Sequence, residues 1–445
     1  MNPQVRKALE FARRRARWLV RPPRVRGHVP PAMPGAVRLG DPEEEAAAEA
    51  AREVIRSKRL YRYGGVSPNP LERSQVAKLE RSFARRMGVE HALAVNSGTS
   101  ALVCGLAALG IGPGDEVIVP AYTWVSTAGA AVAVGAVPVV AEVDDSLTID
   151  PEDARAKVTS RTRAMIPVHM RGAPARMDTL MELAAERDLR VFEDAAQAVG
   201  GSFRGRMLGT IGDAGAYSFG QHKIITAGEG GMLVSANAAV HRRATMYSDS
   251  ACPPNAGVTA EEWLPGLNLR MSELQGAVLS VQLDRLDELV AAMRSRKIRL
   301  RELVAGRLEA RGVRLRRIYD PEGDASIALI FFLPDHGRTE EVVSALAADG
   351  VPASRLYLEM RDLPHDSVDL HTYPAWAPIL RKRTWTAEGG PWRWHPGQVE
   401  YGAEDCSVTM DLLRRAVQVE ISPELTDIQV EQMGAAIPAV IEKLL

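Results

Sequence analysis

A chain of 445 residues with 46% apolar and 25% charged residues has the balance of an ordinary globular protein and is long enough for two domains. A formal net charge of -1 gives no overall field for nucleic acid or an anionic membrane, and no apolar run approaches the ~20 residues of a membrane span. Three widely separated cysteines, Cys104, Cys252 and Cys406, make neither a CxxC pair nor a zinc spacing with histidine, so no metal site and no disulfide framework is expected, as befits a reducing cytoplasm.

Residues 1–37 form a basic, proline-rich extension. Its first part sets Arg6, Lys7, Arg13, Arg14, Arg15, Arg17, Arg21, Arg24 and Arg26 against the single acid Glu10. No apolar h-region follows, which favours a surface extension over a targeting peptide. Glu43–Lys58 and Ser74–Met87 read as helices, the second with Val76, Leu79, Phe83 and Met87 at helical spacing. Between them, Tyr61 to Pro70 reads as a loop with Tyr61, Tyr63 and a Gly-Gly pair.

From Ala92 the pattern alternates. Strands are expected at Ala92–Val95, Glu116–Pro120, Val137–Val143, Ala164–His169 and Leu189–Glu193, with helices at Ser100–Leu109, Thr123–Val134 and Met177–Arg187. Such βαβ units build a parallel sheet covered on both faces, with ligands at the carboxyl ends of its strands. Asn96, Tyr122, His169 and Asp194 all fall at or just past such ends. A short strand at Ala216–Phe219 precedes Lys223 and the glycine turn Gly228–Gly231. Ser272–Val304 reads as one long helical stretch, Ser326–Leu333 as a buried strand and Thr339–Asp349 as a helix. These suggest a smaller α+β domain from about residue 301. The segment 371–401, with His371, Trp376, Trp385, Trp392 and Trp394, reads either as an insertion packed on itself or as a wall of a substrate pocket or a dimer contact.

Ser97-Gly98-Thr99 between strand and helix suits either a plain N-cap or a phosphate held by free N–H groups and hydroxyls. No GxxxxGK[ST] and no GxGxxG after the first strand supports a nucleotide site. Asp194 at its strand end is either an N-cap or a carboxylate facing a pyridinium nitrogen, with Gln197 one turn further on. Lys223, among small residues and glycines, is a candidate for binding pyridoxal phosphate as a Schiff base.

These residues carry a resemblance. NSGT from Asn96, PAYTWVST from Pro120, GAVPV from Gly135, HMRG from His169, EDAAQAVG from Glu193, SFGQHK from Ser218, GEGG from Gly228 and NLRMSELQ from Asn268 follow in order. The chain resembles the DegT/DnrJ/StrS family of pyridoxal-phosphate-dependent sugar aminotransferases. The resemblance runs from about Arg38 to the C-terminus, with 371–401 outside the typical pattern. It implies an α/β chain of fold-type I: a large domain over 38–300 with a mostly parallel seven-stranded sheet, and a small α+β domain over 301–445. It also implies that Lys223 bonds the cofactor and shuttles protons, Asp194 pairs with the ring nitrogen, Gln197 lies near the phenolic oxygen and Trp124 stacks on the ring. Ser97, Gly98, Thr99 and Ser218 would hold the phosphate, and Asn268 would reach the phosphate in the other subunit of a homodimer with shared sites.

The expected reaction moves an amino group from L-glutamate or L-glutamine to a keto-sugar, nucleotide-keto-sugar or keto-cyclitol, through pyridoxamine phosphate, in amino-sugar or antibiotic biosynthesis. Lys223, where dehydrating branches of the family carry histidine, favours transamination. Tyr61, Tyr63, His169, His371 and Trp376 are candidates for the substrate wall. Arg270 is a candidate for a carboxylate or for a structural pair, and His222 for a second acid/base or a mere neighbour. A dehydratase, oxidase or ring-forming synthase using the same cofactor is the competing enzyme reading. A regulatory DNA-binding protein, suggested by the basic arm, comes from a different class.

Overall fold

The computed structural model describes residues 41–62, 74–250, 258–358, 369–386, 389–402 and 404–445. The basic extension, Tyr63 and Cys252 lie outside them. The alternation from Ala92 onward builds a seven-stranded sheet from β1 (His91–Val95), β2 (Glu116–Pro120), β3 (Val137–Ala141), β4 (Thr162–Met165), β5 (Arg190–Asp194), β8 (Ala214–Ser218) and β9 (Gly231–Ser235). A small hairpin, β6 (Ser202–Phe203) with β7 (Arg206–Met207), lies between β5 and β8. The order across the sheet is β1-β9-β8-β5-β4-β2-β3. Every pairing from β8 to β3 is parallel, and β9 runs antiparallel to both neighbours. The expected mostly parallel sheet of seven strands is therefore present.

Its strands are buried on both faces, as a covered parallel sheet requires. Along β2, Val117 and Val119 join one core with the helices Gly98–Ala108 and Ser126–Ala133, while Ile118 joins another with the helix Met177–Arg187. The period-two alternation of side chains thus fills two apolar layers from one strand.

Several expected boundaries moved. The strand expected at Ala164–His169 is Thr162–Met165, and beyond it the chain still follows β5, with Val168 bridged to Asp194 and the His169 N–H donating to Asp194 O at 3.0 Å. The long stretch from Ser272 is two helices, Glu273–Asp284 and Leu286–Glu309, broken at Arg285 with φ -99° and ψ -1°. The first opens with a capping box between Ser272 and Gln275. Residue 300 falls inside the second helix. Strand β9 and the helix Ala238–Ser248 had no counterpart in the sequence reading.

The C-terminal part holds a four-stranded antiparallel sheet of order β10-β11-β13-β12, from β10 (Arg314–Leu315), β11 (Ala328–Phe332), β12 (Ala353–Arg355) and β13 (Ala416–Glu420). The helices Leu286–Glu309, Thr339–Ala348 and Asp427–Leu444 supply its core. The aromatic segment packs on the large sheet instead. Thr372 bridges Tyr122, and Tyr373, Trp376 and Ile379 join the core that holds Val117 and Val119. No helix among the described residues is long and apolar enough to cross a membrane.

Candidate functional site

The carboxyl ends of the parallel strands open on a cavity of about 450 Å³. Ser97, Gly98, Thr99, Trp124, Asp194, Gln197, Ser218, His222, Lys223 and His371 all line it.

Strand β5 delivers Asp194, which is 5% exposed. Its Oδ2 accepts from the Thr127 hydroxyl at 2.8 Å, and its Oδ1 accepts from the Ala196 N–H at 3.1 Å. Burial pushes the carboxyl above the usual aspartate range; the Ala196 N–H, the Thr127 hydroxyl and the charge of Lys223 oppose that rise. The carboxylate is thus held at the cavity floor with too little compensation of its own.

Lys223 stands in the loop between β8 and β9, whose ends are tied where Ser218 pairs with Gly231. The loop is anchored rather than loose. Ile224 and Ile225 are buried, the Thr226 hydroxyl donates to Phe219 O at 3.0 Å, and the Thr226 N–H donates to Gln282 Oε1 at 2.9 Å. Burial lowers the Lys223 ammonium below the usual lysine range; Asp194 opposes the shift and Arg171 adds to it. Among the described residues no hydrogen bond holds its Nζ. Lowering its proton affinity makes such an amine a better candidate for nucleophile and base.

The helix Gly98–Ala108 begins at the cavity. Ser97 is its N-cap and accepts from the Ser100 N–H at 3.0 Å, so this hydroxyl already serves the backbone. The first N–H groups of a helix have no intrahelical partner and carry the positive end of its dipole. Thr99 donates to Ser126 Oγ at 2.9 Å, which brings the starts of two helices together. Glycine is needed at position 98 because a Cβ there would stand 2.7 Å from the Ser218 Cβ. At Gly231 a Cβ would meet Ser97 O at 2.2 Å, so β9 also passes directly under the helix start.

Further polar side chains line the cavity beside Val168, Ile327 and Ala328. Gln197 Oε1 accepts from the Arg171 N–H at 3.0 Å, which leaves its amide NH2 as the open end. Arg171 has a left-handed backbone with φ 54°, and its Nε donates to the Tyr122 hydroxyl at 3.2 Å. His371 contacts Asp369 through Nδ1 at 3.1 Å and meets Trp124 edge to face at 4.9 Å between ring centroids. Burial holds the His371 imidazole below its usual range; Asp369 opposes the shift and Arg171 reinforces it.

Other expected residues lie elsewhere. His169 is a structural residue. Its Nδ1 accepts from the Ala175 N–H at 3.1 Å and its Nε2 contacts Glu193 at 3.0 Å, which spends both ring nitrogens inside the fold. Trp376 is fully buried in the large-domain core, and its Nε1 donates to Leu370 O at 2.9 Å. Arg270 pairs with Asp249 and lies over the Tyr61 ring at 5.2 Å, and neither Arg270 nor Tyr61 lines this chain's cavity. Asn268 is exposed and also outside that lining. The sequence reading missed Thr127, Ser126 and Arg171, although all three lie in motifs it quoted. It also missed Gln418 and Glu420, whose signal was the alternation Val417-Gln418-Val419-Glu420-Ile421.

The model of the DegT/DnrJ/EryC1/StrS aminotransferase family matches residues 43–373. The chain belongs to this family. A putative L-glutamine:3-amino-2,3-dideoxy-scyllo-inosose aminotransferase from Streptoalloteichus tenebrarius is 36% identical over 82% of this chain and 86% of its own length. GDP-perosamine synthase from Caulobacter vibrioides is 40% identical over 54% of this chain, and the match covers 62% of that relative. Among solved structures, DesV from S. venezuelae, in complex with a ketimine intermediate, is 29% identical. It superposes with a TM-score of 0.72 over 92% of this chain and 98% of the other. The fold described above is thus that of solved aminotransferases.

Proposed function

We propose that the chain is a pyridoxal-phosphate-dependent transaminase that moves an amino group from L-glutamate or L-glutamine to a ketone on a sugar, nucleotide-sugar or cyclitol. One observation carries the reading. The lysine, the buried carboxylate, the tryptophan and the open helix start, weak signals when taken singly, line one cavity.

The residues fit the cofactor. A cationic ring nitrogen against Asp194 would supply the compensation that the buried carboxylate lacks. The N–H groups at the start of the helix Gly98–Ala108, with the hydroxyls of Thr99, Ser126 and Ser218, suit a phosphate. Trp124 offers a ring face, and the open NH2 of Gln197 suits a phenolic oxygen.

Bound pyridoxal phosphate supplies the electron sink that makes an amino-acid Cα–H acidic. Lys223, with its lowered proton affinity, takes that proton and returns one at the neighbouring carbon. Asp194 keeps the ring nitrogen protonated. Arg171 is the lining guanidinium for the donor's carboxylate. Asn268, exposed and outside the lining of its own cavity, would serve the phosphate of a second copy, which makes a shared-site homodimer part of the proposal.

The test is a single half-reaction. Protein purified with its cofactor and given L-glutamine or L-glutamate should release one equivalent of the 2-oxo acid per chain, and the Lys223→Ala variant should release none. Equal release by the variant would refute the reading.

A further inference from the structure

The small-domain wall of the cavity carries two acceptors that the proposed chemistry does not use. Strand β13 alternates, so Val417 and Val419 enter the core while Gln418 and Glu420 line the cavity. Gln418 is 4% exposed. Its Oε1 is buried and without a hydrogen-bond partner among the described residues, and the same holds for Glu420 Oε2. Burial pushes the Glu420 carboxyl above the usual glutamate range, with only the charge of Arg171 opposing it.

Buried acceptors without donors are rare because the desolvation is uncompensated. Two of them, two residues apart on one strand face, mark a place where a ligand brings donors. Ile327 and Ala328 line the cavity beside them. A carboxylate and an amide oxygen next to apolar surface match a saturated ring whose edge carries several hydroxyls. The same pair would repel an anionic group at that edge.

We propose that Gln418 and Glu420 accept hydrogen bonds from the ring hydroxyls of the ketone substrate, and so select a polyhydroxylated six-membered ring. The assignment rests on the transaminase reading, and the two can fail separately. The amino donor, which comes first, would use Arg171, and the ring ketone, which comes second, would use β13.

The experiment compares scyllo-inosose with unsubstituted cyclohexanone as acceptors for the cofactor-loaded enzyme. Glu420→Ala should lower the ratio of kcat/KM between the two ketones about ten-fold or more, mainly through KM for scyllo-inosose. Gln418→Leu should lower it about three-fold, as for a neutral hydrogen bond. Glu420→Gln keeps an acceptor oxygen and should recover most of the loss. An unchanged ratio in Glu420→Ala overturns the proposal.

A second measurement does not depend on turnover. Calorimetric titration with scyllo-inositol, which has the hydroxyls and no ketone, should show binding to wild type that is lost in Glu420→Ala. No binding to wild type, or equal binding by both proteins, overturns the proposal. Hydroxyl-dependent binding in a protein that releases no 2-oxo acid would support the role of β13 and refute the transaminase reading.

Discussion

Replacing Thr127 by valine keeps the shape of a fully buried side chain and removes one hydroxyl. That hydroxyl donates to Asp194 Oδ2 at 2.8 Å. A hydrogen bond to a charged group contributes about 1.5–3 kcal/mol, and part of it survives when the carboxyl is protonated. A remaining difference of about 1.4 kcal/mol between the two protonation states is about one pKa unit. The direction follows from the causes already at work. Burial raises the Asp194 pKa and Thr127 holds it down, so the variant titrates higher. The acid limb of kcat/KM against pH should therefore move up by about one unit in Thr127→Val. Thr127→Ser restores the hydroxyl and should restore the limb. The same sign governs stability. A carboxyl with a raised pKa in the folded state binds more protons there than in the unfolded chain. Stability of the cofactor-free protein therefore falls as pH rises from the unfolded to the folded value, and the window widens in the variant. The reasoning is refuted if the acid limb of Thr127→Val coincides with that of wild type while Thr123, which contacts Thr127 Oγ1 at 2.8 Å, remains in place.

Glu193→Ala should lower stability by about 3–5 kcal/mol in chemical denaturation, because it strands buried donors rather than the cavity. Glu193 accepts from Gly209 at 2.8 Å, Ile211 at 2.5 Å and Gly212 at 2.7 Å, and it contacts His169 at 3.0 Å. A loss under about 1 kcal/mol would show that this cluster does not hold the strand end. Mixing Lys223→Ala with Asn268→Ala chains, after dissociation and reassociation, should return about a quarter of wild-type activity. Half of the dimers would then be mixed, each with one intact site of two. No recovery would count against shared sites.

Much of the fold was legible because the strand–helix alternation from β1 to β5 is local. Each element is short, apolar and bounded by its own turn or cap. Strand β9 escaped because Gly231–Ser235 has no polar alternation, being buried on every residue, and one of its two partners, β1, is distant in sequence. The helix break at Arg285 escaped for a different reason: no proline or glycine marks it.

The site shows the same division. Lys223, Asp194 and Ser97–Thr99 were legible as motif residues, and the structure places them around one cavity. A histidine past a strand end reads as facing the cavity, whereas Val168 lines it and the next residue, His169, contacts Glu193 inside the fold. Trp376 was misread because aromatic richness does not distinguish a core from a wall. Arg171 and Glu420 carry opposite charges into the cavity from elements that are far apart in the chain, and no local spacing reveals such a pairing.

The central claim is that Lys223 is the amine that bonds the cofactor in this cavity. Borohydride reduction of the purified, cofactor-bearing protein, followed by peptide mass mapping, tests it directly. The account predicts a single pyridoxyl-phosphate adduct on the peptide that contains Lys223, and none in the Lys223→Ala variant. An adduct on another lysine, or on none, would contradict it.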